Sequence, residues 1–179
     1  MSKKGYLPPD QRANMLLISD DIRAFSGVAH IARELVLNTC HHYNWNQIAG
    51  SITTPDKGKQ FDISQDINKE AGISDSKVII NPVEGYGSPS LIRNFITTQK
   101  IDALFIITDP RYFTWLFQIE NEIRKHIPII YLSIWDELPA PHYNCEYYES
   151  CDLLLGISKQ THNIHQMVLS QGNIPYKVL

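Results

Sequence analysis

The amino-acid sequence predicts an α/β protein, a Rossmann-like open sheet that is mainly parallel and carries helices on both faces. Six apolar runs alternate with helical patterns along the chain, which is the order of elements in a parallel sheet. The run at residues 103–107 is apolar throughout, as strands buried on both faces are. Near the amino terminus an apolar strand leads through a short polar loop and Gly27 into an amphipathic helix. In sheets of this kind, that unit faces the ligand.

Each element has its own sequence signal. Apolar residues at helical spacing from Val28 onward predict a helix over residues 27–43. Ser88-Pro89 combines a cap residue with a first-turn proline, so a second helix is expected to begin there. A third helix is expected over residues 111–125, and Ser158 is placed to cap a fourth. The strands are predicted at residues 15–19, 47–52, 77–80, 103–107, 128–134 and 153–157, and the polar residues 53–76 are predicted to be a loop of variable structure.

Composition narrows the class of protein. With 179 residues, 43% of them hydrophobic, the chain suits one domain with a full core. The net charge of −3 and the pI near 6.1 provide no basic surface for nucleic acid. No apolar run approaches the roughly 18 residues that cross a bilayer, so no transmembrane segment is expected. Three cysteines fit a reducing compartment, and a cytoplasmic protein is predicted.

Three regions are expected along the chain. Residues 1–13 are predicted to be a polar tail, and residues 14–171 a Rossmann-like domain. Residues 172–179 contain a proline followed by apolar residues, which is typical of a connector that enters a new strand. We therefore expect a second, carboxyl-terminal domain beyond this sequence.

Polar and aromatic side chains follow several predicted strands. Because the carboxyl ends of parallel strands meet at one edge of a sheet, we expect these side chains to lie together, where they suit a carbohydrate or a nucleotide. Asp136 and Glu137 are the candidate catalytic residues, because an indole and two carboxylates at a strand end rarely serve structure alone. Candidate acceptor-binding residues at the same edge are Arg23, Asp109, Arg111, Tyr112, Trp135 and Ser158.

Several of these residues also have a purely structural interpretation. Gly27 has two interpretations: it allows a phosphate or a sugar to approach the backbone closely, or it forms an ordinary tight turn. Asp20 and Asp21 form either an acidic pair for magnesium or loop carboxylates that cap a turn. Asp109 precedes a proline, which is common turn chemistry. The sequence contains no G-x-G-x-x-G, Walker, G-x-S-x-G or H-E-x-x-H motif, and no metal site is expected.

Two stretches resemble the amino-terminal domain of glycosyltransferases with the GT-B fold, especially those of family 4. The first is the strand, the loop with Ser26 and Gly27, and the long helix. The second is WDELPAPHYNCEYYESCDLLLGI at residues 135–157, which continues into SKQT. The similarity covers about residues 15–169, and its motifs are moderately specific.

The resemblance implies the amino-terminal, acceptor-binding half of an enzyme with two Rossmann-like domains. It implies a nucleotide-sugar as co-substrate, a carbohydrate or other hydroxyl acceptor, no cofactor, and transfer that retains configuration without a metal. Ser26 and Gly27 match the loop that meets the donor phosphate or sugar. Residues 135–137 stand where many members carry a histidine; here His142, a few residues on, is the nearest candidate for acceptor binding.

Two alternatives come from other classes of protein. The first is a flavodoxin-like receiver domain. LLISDD resembles the first strand of such a domain with its acidic pair, and Lys159 follows the last strand. However, Asn81-Pro82 follows the predicted strand at residues 77–80, where a receiver domain has an aspartate. A stand-alone module that binds carbohydrate or a partner is the other alternative.

Overall fold

The computed structural model describes residues 5–50 and 56–170. These residues form a seven-stranded sheet with helices on both faces, so the predicted fold class is confirmed. The predicted connector at residues 172–179 lies outside the described residues, and so do residues 51–55. None of the helices in the two described segments is both long and apolar enough to cross a membrane.

The sheet is parallel except at one edge. Its order is β3-β4-β2-β1-β5-β6-β7, and only β3 runs antiparallel to its neighbour. The strands are β1 Ala13–Asp20, β2 Tyr43–Gly50, β3 Phe61–Asp62, β4 Val78–Pro82, β5 Ala103–Ile107, β6 Ile129–Ser133 and β7 Leu153–Gly156. The helices are α1 Gly27–Thr39, α2 Ser64–Ala71, α3 Pro89–Thr98, α4 Thr114–Phe117, α5 Glu120–Ile123, α6 Cys145–Glu149 and α7 Lys159–Ser170.

The two faces of the sheet bury separate clusters, because successive side chains of a strand point to opposite faces. Leu16 and Ile18 of β1 belong to the cluster that includes residues of α3, α4 and α7. Leu17 belongs to the other cluster, which includes α1 and Trp45.

The described part of the polar stretch, residues 56–76, is more regular than predicted. It contains β3 and α2, and α2 buries only Ile67. One buried side chain in eight residues leaves almost no helical period in the sequence, so the prediction of a variable loop was wrong here.

Two predicted helices end or break earlier than expected. The first stops at Thr39, because Tyr43 already pairs with Ala13 as the start of β2. The segment predicted as one helix over residues 111–125 is a 3-10 turn, Pro110–Phe113, followed by α4 and α5. At the join, the Ile119 amide donates to the Leu116 carbonyl three residues back, which tightens the backbone and interrupts the α-helix.

The segment before β1 is polar but packed where it is described. The Leu7 amide donates to the His41 carbonyl. The buried Arg12 guanidinium pairs with Asp75 at 2.9 Å. This end of the chain is therefore fixed against the edge of the sheet opposite the candidate site.

Candidate functional site

The strand order creates a crevice at the carboxyl end of β1. From β1 the chain first moves to β2 on one side, and β5 later joins β1 on the other. The turns that follow β1 and β5 therefore lead away from each other and leave a crevice between them. Ligands of open α/β sheets bind in the crevice where the strand order reverses in this way. The candidate residues are arranged around this crevice as two groups.

The first group lies around Asp20, at the last position of β1. Ser26 caps α1: its Oγ accepts from the Ala29 amide at 3.0 Å and donates to Asp20 Oδ2 at 2.6 Å. A hydroxyl can donate only one hydrogen bond, and that of Ser26 goes to Asp20. The Ser26 side chain is therefore not a donor to a phosphate in this arrangement. An anion at this point would meet the backbone amides of the first turn of α1.

Gly27 leaves free space at the start of α1. A Cβ atom built there meets no heavy atom within 4 Å, and the residue does not have a positive φ. Packing within the described protein therefore gives no reason for glycine at this position. The open space is what the predicted close approach of a ligand requires.

Tyr86 is a member of this group that sequence reasoning missed. Its hydroxyl donates to Asp20 Oδ1 at 2.6 Å, and its ring lies 5.4 Å from that of the exposed Tyr112. A Cβ on Gly50 would lie 2.5 Å from the Tyr86 ring, so only glycine admits Tyr86 here. The signal in the sequence was Gly85-Tyr86-Gly87, whose glycines both have positive φ and carry the loop over β2. We call Asp20, Ser26, Gly27, Tyr86 and Tyr112 the Asp20 corner.

Arg23 and Asp21 lie beside this corner but are paired with each other. The Arg23 Nη2 lies 2.7 Å from Asp21 Oδ2, and its guanidinium lies over the Phe61 ring at 4.7 Å. The hydrogen bond to Asp21 raises the pKa of Arg23. Because Asp21 holds an arginine and Asp20 holds two hydroxyls, the two carboxylates do not form the acidic pair considered for magnesium. Across residues 5–50 and 56–170, no three His, Cys, Asp or Glu side chains are grouped so that they could hold a metal ion.

The second group surrounds a cavity of about 190 Å³ at the carboxyl ends of β5 and β6, which we call the Trp135 cavity. Residues 108–110, Tyr131 and residues 134–137 line it. Asp109, Trp135, Asp136 and Glu137, predicted from separate positions in the sequence, thus share one cavity. Thr108 has a φ of 121°, a strained conformation for a β-branched residue, and its carbonyl accepts from the Tyr131 hydroxyl at 2.7 Å.

Arg111 does not line this cavity, but it contacts two of the groups beside it. Its Nε donates to Asp109 Oδ1 at 2.9 Å, and its Nη2 donates to Asp109 Oδ2 at 2.5 Å. Its guanidinium lies 5.8 Å from the centre of the Trp135 ring and 5.6 Å from that of Tyr143. Burial raises the pKa of Asp109, but the hydrogen bonds from Arg111 outweigh it and hold that pKa below its usual range. Asp109 is therefore a fixed carboxylate that orients Arg111.

The indole of Trp135 is also fixed, while the neighbouring carboxylates are not buried. Trp135 Nε1 donates to the Glu137 carbonyl at 2.9 Å. The side chains of Asp136 and Glu137 are exposed at the mouth of the cavity. Chemically, the cavity offers an aromatic wall and oxygen acceptors, a combination that suits a ligand with several hydroxyl groups.

Two further predicted binding residues, His142 and Ser158, also lie outside both groups. His142 is exposed at the start of a 3-10 turn, His142–Asn144. Ser158 is exposed and caps α7, with its Oγ accepting from the Thr161 amide at 3.1 Å. Neither lines the Trp135 cavity.

No protein-family model, curated protein or solved structure matches this chain. The residues of the Asp20 corner and the Trp135 cavity are therefore the basis for its function.

Proposed function

We propose that this chain is the acceptor-binding half of a cytoplasmic glycosyltransferase that moves a sugar from a nucleotide-sugar to a hydroxyl acceptor. The observation that carries the proposal is the Trp135 cavity, which has a volume of about 190 Å³ and opens at the edge of the sheet that carries the α1 amino terminus. An aromatic face packs against the C–H face of a sugar, and carboxylates accept from its hydroxyls. The α1 amino terminus, left open at Gly27, suits the phosphates of the donor.

Each residue then has a defined part. Trp135 supports the sugar ring, and Asp136 and Glu137 accept from its hydroxyls at the cavity mouth. Arg111, held by Asp109, stabilises negative charge on the departing diphosphate. For retaining, metal-independent transfer, this half of the enzyme positions the acceptor and stabilises the developing charge. A carboxyl-terminal domain supplies the remaining contacts to the donor.

The experiment is a transfer assay on the native full-length polypeptide, purified from its source. A panel of radiolabelled nucleotide-sugars is supplied with a cell extract as acceptor, and release of nucleoside diphosphate is measured. We expect turnover with at least one donor and about a hundredfold lower kcat/KM in Trp135→Ala, corresponding to about 2.7 kcal/mol. Leu138→Ala, an exposed side chain of the same loop that does not line the cavity, is the control. Absence of turnover with every donor refutes the proposal.

A stand-alone carbohydrate-binding module is the second candidate, because the Trp135 cavity can hold a sugar without a donor domain. The intact mass of the native polypeptide separates the two. A mass near twice 20.5 kDa supports the transferase, whereas a native mass of 20.5 kDa favours the module. The receiver alternative gains no support from the Asp21–Arg23 pair, since that ion pair occupies one of the two carboxylates it requires.

A further inference from the structure

Asp20 is an unusual carboxylate for this position. Its side chain is buried at 6% exposure, yet in the described part of the chain no cation pairs with it. Burying a carboxylate is costly unless hydrogen bonds or charges compensate for the lost water. Its compensation comes from two hydroxyl groups, each at 2.6 Å, together with the nearby amino terminus of α1.

The two hydroxyls belong to two different ligand-facing segments. Ser26 belongs to the turn between β1 and α1, which we call the Ser26 turn, residues 21–27. Tyr86 belongs to the loop between β4 and α3, which we call the Tyr86 loop, residues 84–87. These segments are about 60 residues apart in sequence, and Asp20 bonds to both through different oxygens. Hydrogen bonds to an ionised oxygen are short and about twice as strong as neutral ones.

We propose that Asp20 is a positioning residue that holds the Ser26 turn and the Tyr86 loop in one fixed arrangement for the ligand. It bonds to one hydroxyl in each segment, so that both are in place before the ligand arrives. A preorganised site does not have to order its loops on binding, which improves affinity. The inference rests on the proposed function for the identity of the ligand, and on the two hydrogen bonds for the coupling itself.

The backbone around Asp20 explains why this residue can serve as a fixed point. The Gln47 side chain of β2 donates to the Asp20 carbonyl at 2.7 Å and accepts from the Ile22 amide at 3.3 Å. Asp20 itself is paired with Gly50 within the sheet. The carboxylate is thus attached to the central strand of the sheet, while the groups it holds are on loops.

The test is amide hydrogen exchange on this chain in Asp20→Asn, which keeps the shape of the side chain and removes its charge. An asparagine offers one acceptor oxygen in place of two and carries no charge, so one hydroxyl loses its acceptor and the bond to the other is weakened. We expect the amides of both the Ser26 turn and the Tyr86 loop to exchange about tenfold faster, while amides of β5 and α7 keep their rates. Asp62→Asn, an exposed carboxylate at the far edge of the sheet, is the control and is expected to leave both segments unchanged.

Two further variants separate coupling from general damage. Ser26→Ala is expected to accelerate exchange in the Ser26 turn alone, and Tyr86→Phe in the Tyr86 loop alone. Equal acceleration of all protected amides in Asp20→Asn would mean that the residue only stabilises the fold, and would overturn the inference. Acceleration in one segment only, or in neither, overturns it as well. Should Asp20→Asn fail to fold, unchanged exchange in both single-hydroxyl variants overturns it.

A kinetic readout connects the coupling to the ligand. In the native transferase, Asp20→Asn is expected to raise the KM for the nucleotide-sugar about tenfold and to change kcat less than about threefold. An unchanged KM in an active enzyme overturns the positioning role. A wild-type enzyme with no transferase activity refutes the proposed function instead, and the exchange experiment then decides the coupling independently.

Discussion

At the residue scale, two glycines of the carboxyl edge have opposite reasons to be glycine. Gly50 has the Gly85 carbonyl oxygen 2.3 Å and the Tyr86 ring 2.5 Å from where a Cβ would stand, whereas Gly27 has no neighbour within 4 Å. Gly50 is required by packing inside the protein, whereas Gly27 leaves a space that the described protein does not fill. Substitutions at these two positions therefore distinguish structure from function.

Gly27→Val is expected to reduce transfer by the native enzyme at least about tenfold, because the added methyl groups occupy the approach to the first turn of α1. Its melting temperature is expected to stay within a few degrees of wild type, since a Cβ atom at this position meets no heavy atom within 4 Å. The two measurements are turnover of the nucleotide-sugar and thermal unfolding by circular dichroism. Wild-type turnover in Gly27→Val contradicts the assignment of this turn to the donor.

Gly50→Ala is expected to lower the free energy of unfolding by about 1–3 kcal/mol, because the new methyl group overlaps backbone and ring atoms. Urea titration of Gly50→Ala and Gly27→Val measures the free energy of unfolding of each. Unchanged stability in Gly50→Ala would mean that the Tyr86 loop moves aside without cost.

At the element scale, three of the described helices, α1, α3 and α7, begin at a serine whose side chain caps the first turn. Ser26, Ser88 and Ser158 each accept from an amide in the first turn of α1, α3 and α7. For Ser158 this contact gives a structural reason for the residue, which the sequence had placed among the acceptor-binding candidates.

Ser158→Ala is expected to destabilise the chain by about 1 kcal/mol, because the Thr161 amide loses its partner. Ser158→Asp restores a capping oxygen and is expected to recover most of the loss. The measurement is the urea concentration at the midpoint of unfolding, compared between variants whose unfolding free energy depends on urea with the same slope. A Ser158→Ala protein as stable as wild type would argue against a capping role.

At the scale of the whole molecule, one buried histidine links stability to pH. His165 of α7 is fully buried against Tyr148, with ring centres 5.0 Å apart, and neither ring nitrogen has a hydrogen-bond partner among residues 5–50 and 56–170. Burial, with a smaller effect from His162, lowers the pKa of His165 to about 4. Since the unfolded chain binds a proton near pH 6.5 and the folded one only near pH 4, stability is complete above pH 6.5 and falls as the pH drops toward 4.

His165→Leu is therefore expected to lose less stability than wild type on acidification. Between pH 7 and pH 4.5 the wild type is expected to lose about 2 kcal/mol more than the variant. Urea unfolding at the two pH values measures the difference, and carboxylates common to both proteins cancel in it. Parallel pH profiles for the two proteins would show that His165 does not carry this dependence.

The extent of prediction differs between the fold and the site. Apolar runs predict the parallel strands, apolar spacing predicts the start of α1, and serine caps predict the starts of α3 and α7, because these signals are local. The helix α2 was missed because it buries only Ile67, and the break between α4 and α5 was missed because their apolar spacing continues across it. Among site residues, Trp135 and Asp109 follow strands and were found from that position alone. Tyr86 was missed because its partner Asp20 lies 66 residues away.

By itself, the sequence determined the α/β class, the alternation of strands with helices and the set of polar residues that follow the strands. Periodicity and capping are properties of neighbouring residues, and so they can be read along the chain. Only the tertiary structure decided which of those residues meet. It brought the Tyr86 hydroxyl to Asp20, and it gathered Asp109 and Trp135 around one cavity. The reason is that strand order brings distant turns together, and the burial of each charge then selects its partner.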